Sequence, residues 1–169
     1  IGFCLVGSEM CIRDSNNGDS QGWIMNVDEN GYLKWEKTYG DNGEDGFNMI
    51  TRSKDNNFIA VGYSESFFSK GMKDVLMVKI DSLGNKMWMN LYGGKSDDIG
   101  NSVFECKDSG FAIAGETTSF GSGKNDILIL KTNSNGVQKW KSTIGGKGVD
   151  IGRSIEELPK GGFIVSGTS

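Results

Sequence analysis

Residues 74–118 read DVLMVKIDSLGNKMWMNLYGGKSDDIGNSVFECKDSGFAIAGETT, and most of the remaining chain is this stretch again, once upstream and once downstream. The upstream copy is offset by 53 residues, so Asp28, Gly31, Trp35, Tyr39, Asp45, Phe58 and Gly62 answer Asp81, Gly84, Trp88, Tyr92, Asp98, Phe111 and Gly115. The downstream copy is offset by 52 and supplies Asn133, Gly136, Trp140, Gly145, Asp150, Phe163 and Gly167, with Gly145 answering Gly93. Self-similarity at such a period marks a solenoid, propeller or array and outranks length as a guide to architecture.

Each period holds four strand-like pieces, which in the middle copy are 75–80, 86–92, 100–106 and 111–117. They are short, rich in β-branched and aromatic residues and bounded by turn signals, and no helical period is sustained. In 75–80, Leu76, Val78 and Ile80 share one face and Met77 and Lys79 the other. The turn at 81–84 has Asp first and Gly fourth, a type I turn in which Gly takes the positive φ. Residues 28–31 and 133–136 repeat it, and 107–110 makes a second turn echoed at 55–57 and 159–162. Four antiparallel strands per roughly 40–50 residues describe a propeller blade. The expected fold is all-β, a partial β-propeller of about three four-stranded antiparallel repeats.

Side-chain size sets the phase. Gly100, Ser102, Gly152 and Ser154 place small residues at the start of the third piece, which suits the crowded innermost strand, whereas Trp88 and Tyr92 suit an outer hairpin. Whole blades then run over about 46–93 and 99–145, flanked by an outer half blade at 22–40 and an inner half blade at 152–169. The repeats themselves lie at about 22–73, 74–125 and 126–169. Tight turns fall on one face. The longer connections 63–74 and 118–126, with the Gly-Gly links 93–98 and 145–150, fall on the other, where repeat proteins usually bind.

Composition excludes several classes of function. With 22 acidic against 18 basic residues the net charge is −4 and no basic cluster occurs, which argues against nucleic acid and against an anionic membrane surface. No apolar run approaches the ~18 residues of a membrane span. There is no His, so His-based acid–base and Ser-His-Asp chemistry are absent, and Cys/His zinc sets cannot be assembled. The cysteines are Cys4, Cys11 and Cys106, too few within the repeats for a disulfide framework. Cys106 reads as a small, half-buried strand residue.

Residues 1–15 stand apart. Phe3–Gly7 can be laid on 58–62 as the end of a preceding repeat, but the segment CLVGSEMCIRDS resembles a translated sequencing-adapter remnant, and 1–15 is taken as a non-native leader. It lacks the start and basic leader of a signal peptide. The repeat array then occupies 16–169.

The Asp-x-x-Gly-x-x-x-Trp turn and the Gly-Gly link together resemble a bacterial β-propeller repeat family, the SBBP and delta-sixty type repeats, over residues 20–169. Gly40-Asp41 departs from Gly-Gly in the first copy and Asn133 from the turn Asp in the third. The resemblance implies a repeat of large secreted or surface-anchored proteins, extracellular placement and no shared catalytic residues. The same motif resembles the tryptophan-docking repeat of quinoprotein propellers, which implies that Trp35, Trp88 and Trp140 lock adjacent blades.

No residue is therefore assigned as catalytic, cofactor-binding or metal-ligating, and no cofactor is expected. Asp45, Asp98 and Asp150 begin the inner strands; the acidic loop 41–45 could offer oxygens to calcium, but capping of the turn's own N–H groups is the preferred reading. Phe67 and Phe120 align and should pack beneath their loops, while Phe68, opposite Gly121, is a candidate for partner contact. The expected function is a non-catalytic scaffold or recognition segment of a larger secreted or surface protein, its partners the remaining blades and an unknown protein or glycan on the long-loop face. Two alternatives stand beside it: a fragment of a quinoprotein-like or hydrolase propeller enzyme, and a calcium-stabilised adhesin or carbohydrate-binding propeller.

Overall fold

The computed structural model describes residues 20–65 and 72–169 and holds twelve strands and no helix among them. β1 (Gly22–Val27) and β2 (Leu33–Tyr39) pair as a hairpin. β3 (Asp45–Arg52), β4 (Phe58–Ser64), β5 (Asp74–Ile80) and β6 (Lys86–Tyr92) follow as a four-stranded antiparallel meander. β7 (Asp98–Glu105), β8 (Phe111–Thr117), β9 (Asp126–Thr132) and β10 (Gln138–Ile144) form a second, and β11 (Ile151–Glu157) pairs with β12 (Phe163–Thr168). The chain is a partial propeller of two whole blades and two half blades, in the phase that residue size suggests. The inner strand β7 begins two residues before the sequence pattern does, because Asp98 already lies opposite Thr117 and Ile99 opposite Glu116.

The core is divided among the gaps between blades. Ile24, Tyr39 and Trp35 of the first hairpin pack on Ala60, Val78 and Ile80 of the first whole blade. The opposite face of that blade presents Ile59, Val61, Val75 and Met77 to Val103, Phe111, Ile113, Leu128 and Leu130 of the next. Cys106, Ala112, Ala114 and Ile129 then meet Ile155, Phe163 and Val165 of the last hairpin. The period-2 alternation in β5 is real, yet all seven of its residues are buried, because both faces of a central blade are covered. Each such fully buried aliphatic side chain contributes about 1.5–3 kcal/mol.

The turns follow their side chains. In the 81–84 turn the Gly84 amide donates to the Asp81 carbonyl at 3.0 Å, while the Asp81 carboxylate accepts from the amides of Leu83 and Asn85 at 2.8 Å each. Asp28 and Asn133 do the same in their copies. Gly31, Gly84 and Gly136 take φ of 84°, 75° and 76°, where a side chain is strained.

Small residues on the inner strands have a more local cause than crowding at an axis. A Cβ on Gly100 would sit 2.5 Å from Val61 and 2.9 Å from Val75 of the preceding blade, so glycine is what lets β7 settle on that sheet. Each inner strand also slips register once, between Phe47 and Met49, Gly100 and Ser102, and Gly152 and Ser154. The extra residue is Asn48, Asn101 or Arg153, and such a bulge re-aims a side chain out of the ladder. Asn48 Nδ2 reaches the Gly100 carbonyl and Asn101 Nδ2 the Gly152 carbonyl, each at 3.0 Å, which stitches inner strand to inner strand.

Candidate functional site

At the outer end of the first two junctions an aromatic pair grips the following blade. Trp35 packs on the 81–84 turn so closely that a Cβ on Gly84 would meet its ring at 2.9 Å, and Trp88 stands in the same relation to Gly136. The neighbouring tyrosines add a hydrogen bond: Tyr39 Oη donates to the buried Gly84 carbonyl at 2.7 Å and Tyr92 Oη to that of Gly136. Burial pushes the Tyr39 hydroxyl up to about 12, and the phenol stays a donor at any ordinary pH. Trp88 also tilts against Phe111 at 6.0 Å, and Trp140 against Phe163 at 5.8 Å. Interblade packing by the repeated tryptophans is thus observed at all three junctions among the described residues.

At the other end of each junction sits the repeated aspartate. Asp45, Asp98 and Asp150 are buried, and one oxygen of each accepts the amide four residues earlier, from Asp41, Gly94 and Gly146, at 2.8–3.0 Å. Their own amides donate to Ser20, Lys73 and Asn125 carbonyls of the preceding sheet at 2.7–2.8 Å. Each aspartate therefore caps its turn and pins it to the blade before, as the capping reading of these residues holds. Asp98 Oδ2 takes a further bond from Ser119 Oγ at 2.6 Å. Burial pushes the Asp45 carboxyl above its ordinary value, partly offset by hydrogen bonds from Ser64 and the Asp41 amide. The sequence did not reveal that Asp74 and Asp126 belong here too. A Cβ on Gly93 would meet Asp74 at 1.9 Å and Asp98 at 2.8 Å, and one on Gly145 would meet Asp126 at 2.2 Å and Asp150 at 2.9 Å. Two carboxylates converge on the first glycine of each Gly-Gly link, which leaves no room for a side chain at Gly93 or Gly145. Their exact recurrence at the 52-residue offset was the available signal. Among the described residues no group of three or more His, Cys, Asp or Glu is arranged to hold a metal ion.

On the tight-turn face the charges are spent within and between blades. Lys54 and Lys107 donate their amides to Glu105 and Glu157, at 2.6 and 2.7 Å, and their ammonium groups to the Cys106 and Pro159 carbonyls, at 2.6 Å each. Lys79 and Lys131 bury their stems and pair with Asp55 and Asp108 at 2.6 and 2.8 Å. For Asp55, burial is outweighed by hydrogen bonds from Lys79, Ser53 and Asn57; for Asp108, Lys131 and Lys139 dominate. Both carboxyls are held below the usual range. Cys106 differs from its sequence reading: it lies just past β7, fully buried in the last junction, because the turn carries it between two sheets. Burial pushes its thiol up, so it is not a reactive nucleophile.

The long-loop face is knitted into a platform. The amides of Ser96 and Asp97 donate to Ser119 Oγ and Thr118 Oγ1 at 2.9 Å, and the Thr118 amide returns a bond to the Asp97 carbonyl at 2.7 Å. Phe120 is half-buried, fits against Gly94 and carries the Lys141 ammonium 3.0 Å from its ring centre. It packs as expected, whereas Phe67 and Phe68 lie outside the described residues. The single length change in the array also falls on this face: Ser64 and Thr117 are 53 apart, but Asp74 and Asp126 only 52, so the loop after β4 is one residue longer than the loop after β8. No helix among the described residues is long and apolar enough to cross a membrane. Compared with known protein families and with curated proteins, the chain matches none.

Proposed function

We propose that this chain is a non-catalytic propeller segment of a larger secreted or cell-surface protein, akin to the bacterial repeats its sequence resembles. It serves as a scaffold that presents the long-loop face to a protein or glycan ligand. The observation that carries this reading is the contrast between faces. Recurring polar residues are consumed by blade junctions, while the one length change falls in the long connections. Exposed Met72 and Lys124 answer one another across the 52-residue offset with different side chains, and exposed Lys95, which recurs as Lys147, lies in the Gly-Gly link.

The test is a glycan array and a surface-protein panel probed with the chain, followed by variants of each face. A triple change at Met72, Lys95 and Lys124 should weaken capture at least tenfold. Changes at the exposed tight-turn residues Leu83 and Val137 should leave it unaltered. Capture that survives the first set and fails with the second places the ligand on the wrong face and ends the proposal.

A further inference from the structure

No stretch of the sequence is basic, yet the fold draws lysines together on one part of the long-loop face. The loop 118–126 lies between the two Gly-Gly links. On one side Ser119 Oγ accepts the Ser96 amide at 2.9 Å, and a Cβ on Gly94 would sit 2.8 Å from the Phe120 ring. On the other the Lys124 amide donates to the Gly148 carbonyl at 3.2 Å, and a Cβ on Gly123 would sit 3.2 Å from Lys147 Cα. Lys95 and Lys124, both exposed, thus stand on touching loops, with Lys147 beside the second. We propose that this patch binds an acidic glycan, one that carries carboxylate or sulfate groups. The inference rests on the long-loop face being the binding surface and names the class of ligand.

Three observations support it. The first is where the charges lie. Asp98, Asp126 and Asp150 are buried at the glycine links, Asp97 Oδ1 accepts the Lys73 amide at 3.2 Å, and Glu116 accepts from Asn125 Nδ2 at 2.7 Å. Lys95 and Lys124 take part in no ion pair among the described residues. The acids lie beneath the surface, and the outermost charges are ammonium groups. The second is the backbone of the loop tip. Gly121, Ser122 and Gly123 are exposed, the glycines at φ of 96° and 139°, and none of the three amides donates to a partner among the described residues. Successive N–H groups in such turns form anion-binding concavities. The third is what these loops lack. Neither 93–98 nor 118–126 exposes a large apolar side chain, and Phe120 is half-buried beside the Lys141 ammonium, so no aromatic anchor for a protein partner protrudes. Neither loop contains arginine, and a single ring makes no platform for stacked bases. Lysine point charges and free amides suit a hydroxyl-rich polyanion. The first junction supplies the contrast: there Asn42 answers Lys95, between Asp41 and Glu44.

The experiment passes the full chain over immobilised polygalacturonate, dextran sulfate, unmodified dextran and duplex DNA. Retention on polygalacturonate or dextran sulfate and none on dextran is expected, and the surface that retains the chain identifies the anion. Capture should weaken as salt rises, and Lys95→Gln/Lys124→Gln should lower affinity about tenfold with an unchanged far-UV spectrum. Glu44→Gln, on the acidic link of the first junction, should leave affinity unaltered; a gain as large as the lysine loss would mean that net charge alone governs capture. Equal capture on dextran or on DNA overturns the proposal, as does retention indifferent to the lysine pair. Binding to neither acidic surface overturns it too. If a neutral glycan or a protein is then captured through Met72, the long-loop reading stands and this inference alone falls.

Discussion

β4 and β12 are the same strand of the repeat, FIAVGYS and FIVSGT, yet they occupy different worlds. Ile59, Ala60 and Val61 are fully buried, whereas Ile164 stands mostly in water. Trp88, gripped between sheets, and Trp140, 41% exposed, repeat the contrast on the outer strand. Residue type is nearly constant; the neighbour is not. Burial here is conferred by the next blade, so the stability contributed by a side chain is set by which junction it occupies.

The sharpest way to break this comparison is to truncate the paired tryptophans. Trp88→Ala should cost about 3–4 kcal/mol in urea unfolding, as for large aromatic truncations in cores. Trp140→Ala, which loses the ring contact with Phe163 and little else, should cost about 1 kcal/mol. Equal losses would mean that the junction is not what makes tryptophan matter.

Glycine gives a finer cut, because Gly31 and Gly136 share the same positive φ while only Gly136 carries a docked ring. Gly31→Ala should cost ~1 kcal/mol from backbone strain alone. Gly136→Ala, whose Cβ would meet Asn90 at 2.3 Å and Trp88 at 2.9 Å, should cost roughly twice as much by adding overpacking. Tyr92→Phe removes one buried hydrogen bond and leaves the Gly136 carbonyl unsatisfied, for about 1–1.5 kcal/mol, read as a shift in the unfolding midpoint.

The smallest effect is electrostatic. The folded-state pKa of Asp45 is raised by burial above the unfolded ~3.9, so its charge opposes folding at neutral pH and the opposition fades as pH falls through the folded value. Asp45→Asn should therefore raise the melting temperature at pH 7, and the gain should close near pH 4. Asp55 and Asp108 run the other way. Held low by Lys79 and Lys131, they stabilise the chain above pH ~4 and lose that contribution only below it. A gain for Asp45→Asn that grows on acidification would reverse the assignment.

Blade architecture was legible because it depends on local chemistry. The Asp and Gly of 81–84, the alternation in 75–80 and the fixed offset all survive without knowledge of the fold. The tryptophan–glycine docking was legible in kind, through recurrence, but not in detail, since Trp88 meets a glycine 48 residues away. The Asp74–Asp98 convergence was legible only as the recurrence of Asp74 in Asp126, and the burial of Cys106 not at all, because both arise between sheets and no single strand's pattern records its neighbour. The candidate binding face was readable only as a set of long connections. Phe68 there answers Gly121 and Met72 answers Lys124, and recurrence is silent where copies differ.

The division of the core into three inter-sheet clusters has a further consequence. No sheet owns its interior, so the cooperative element is the gap and not the blade. A chain rejoined end to end and reopened in any connection would redistribute strands among nominal blades while leaving every intact gap as it was. Cleavage in a loop should then be tolerated, whereas removing one whole sheet would empty two gaps at once. The array should melt as a line of coupled seams, each as strong as the pair of surfaces on either side of it.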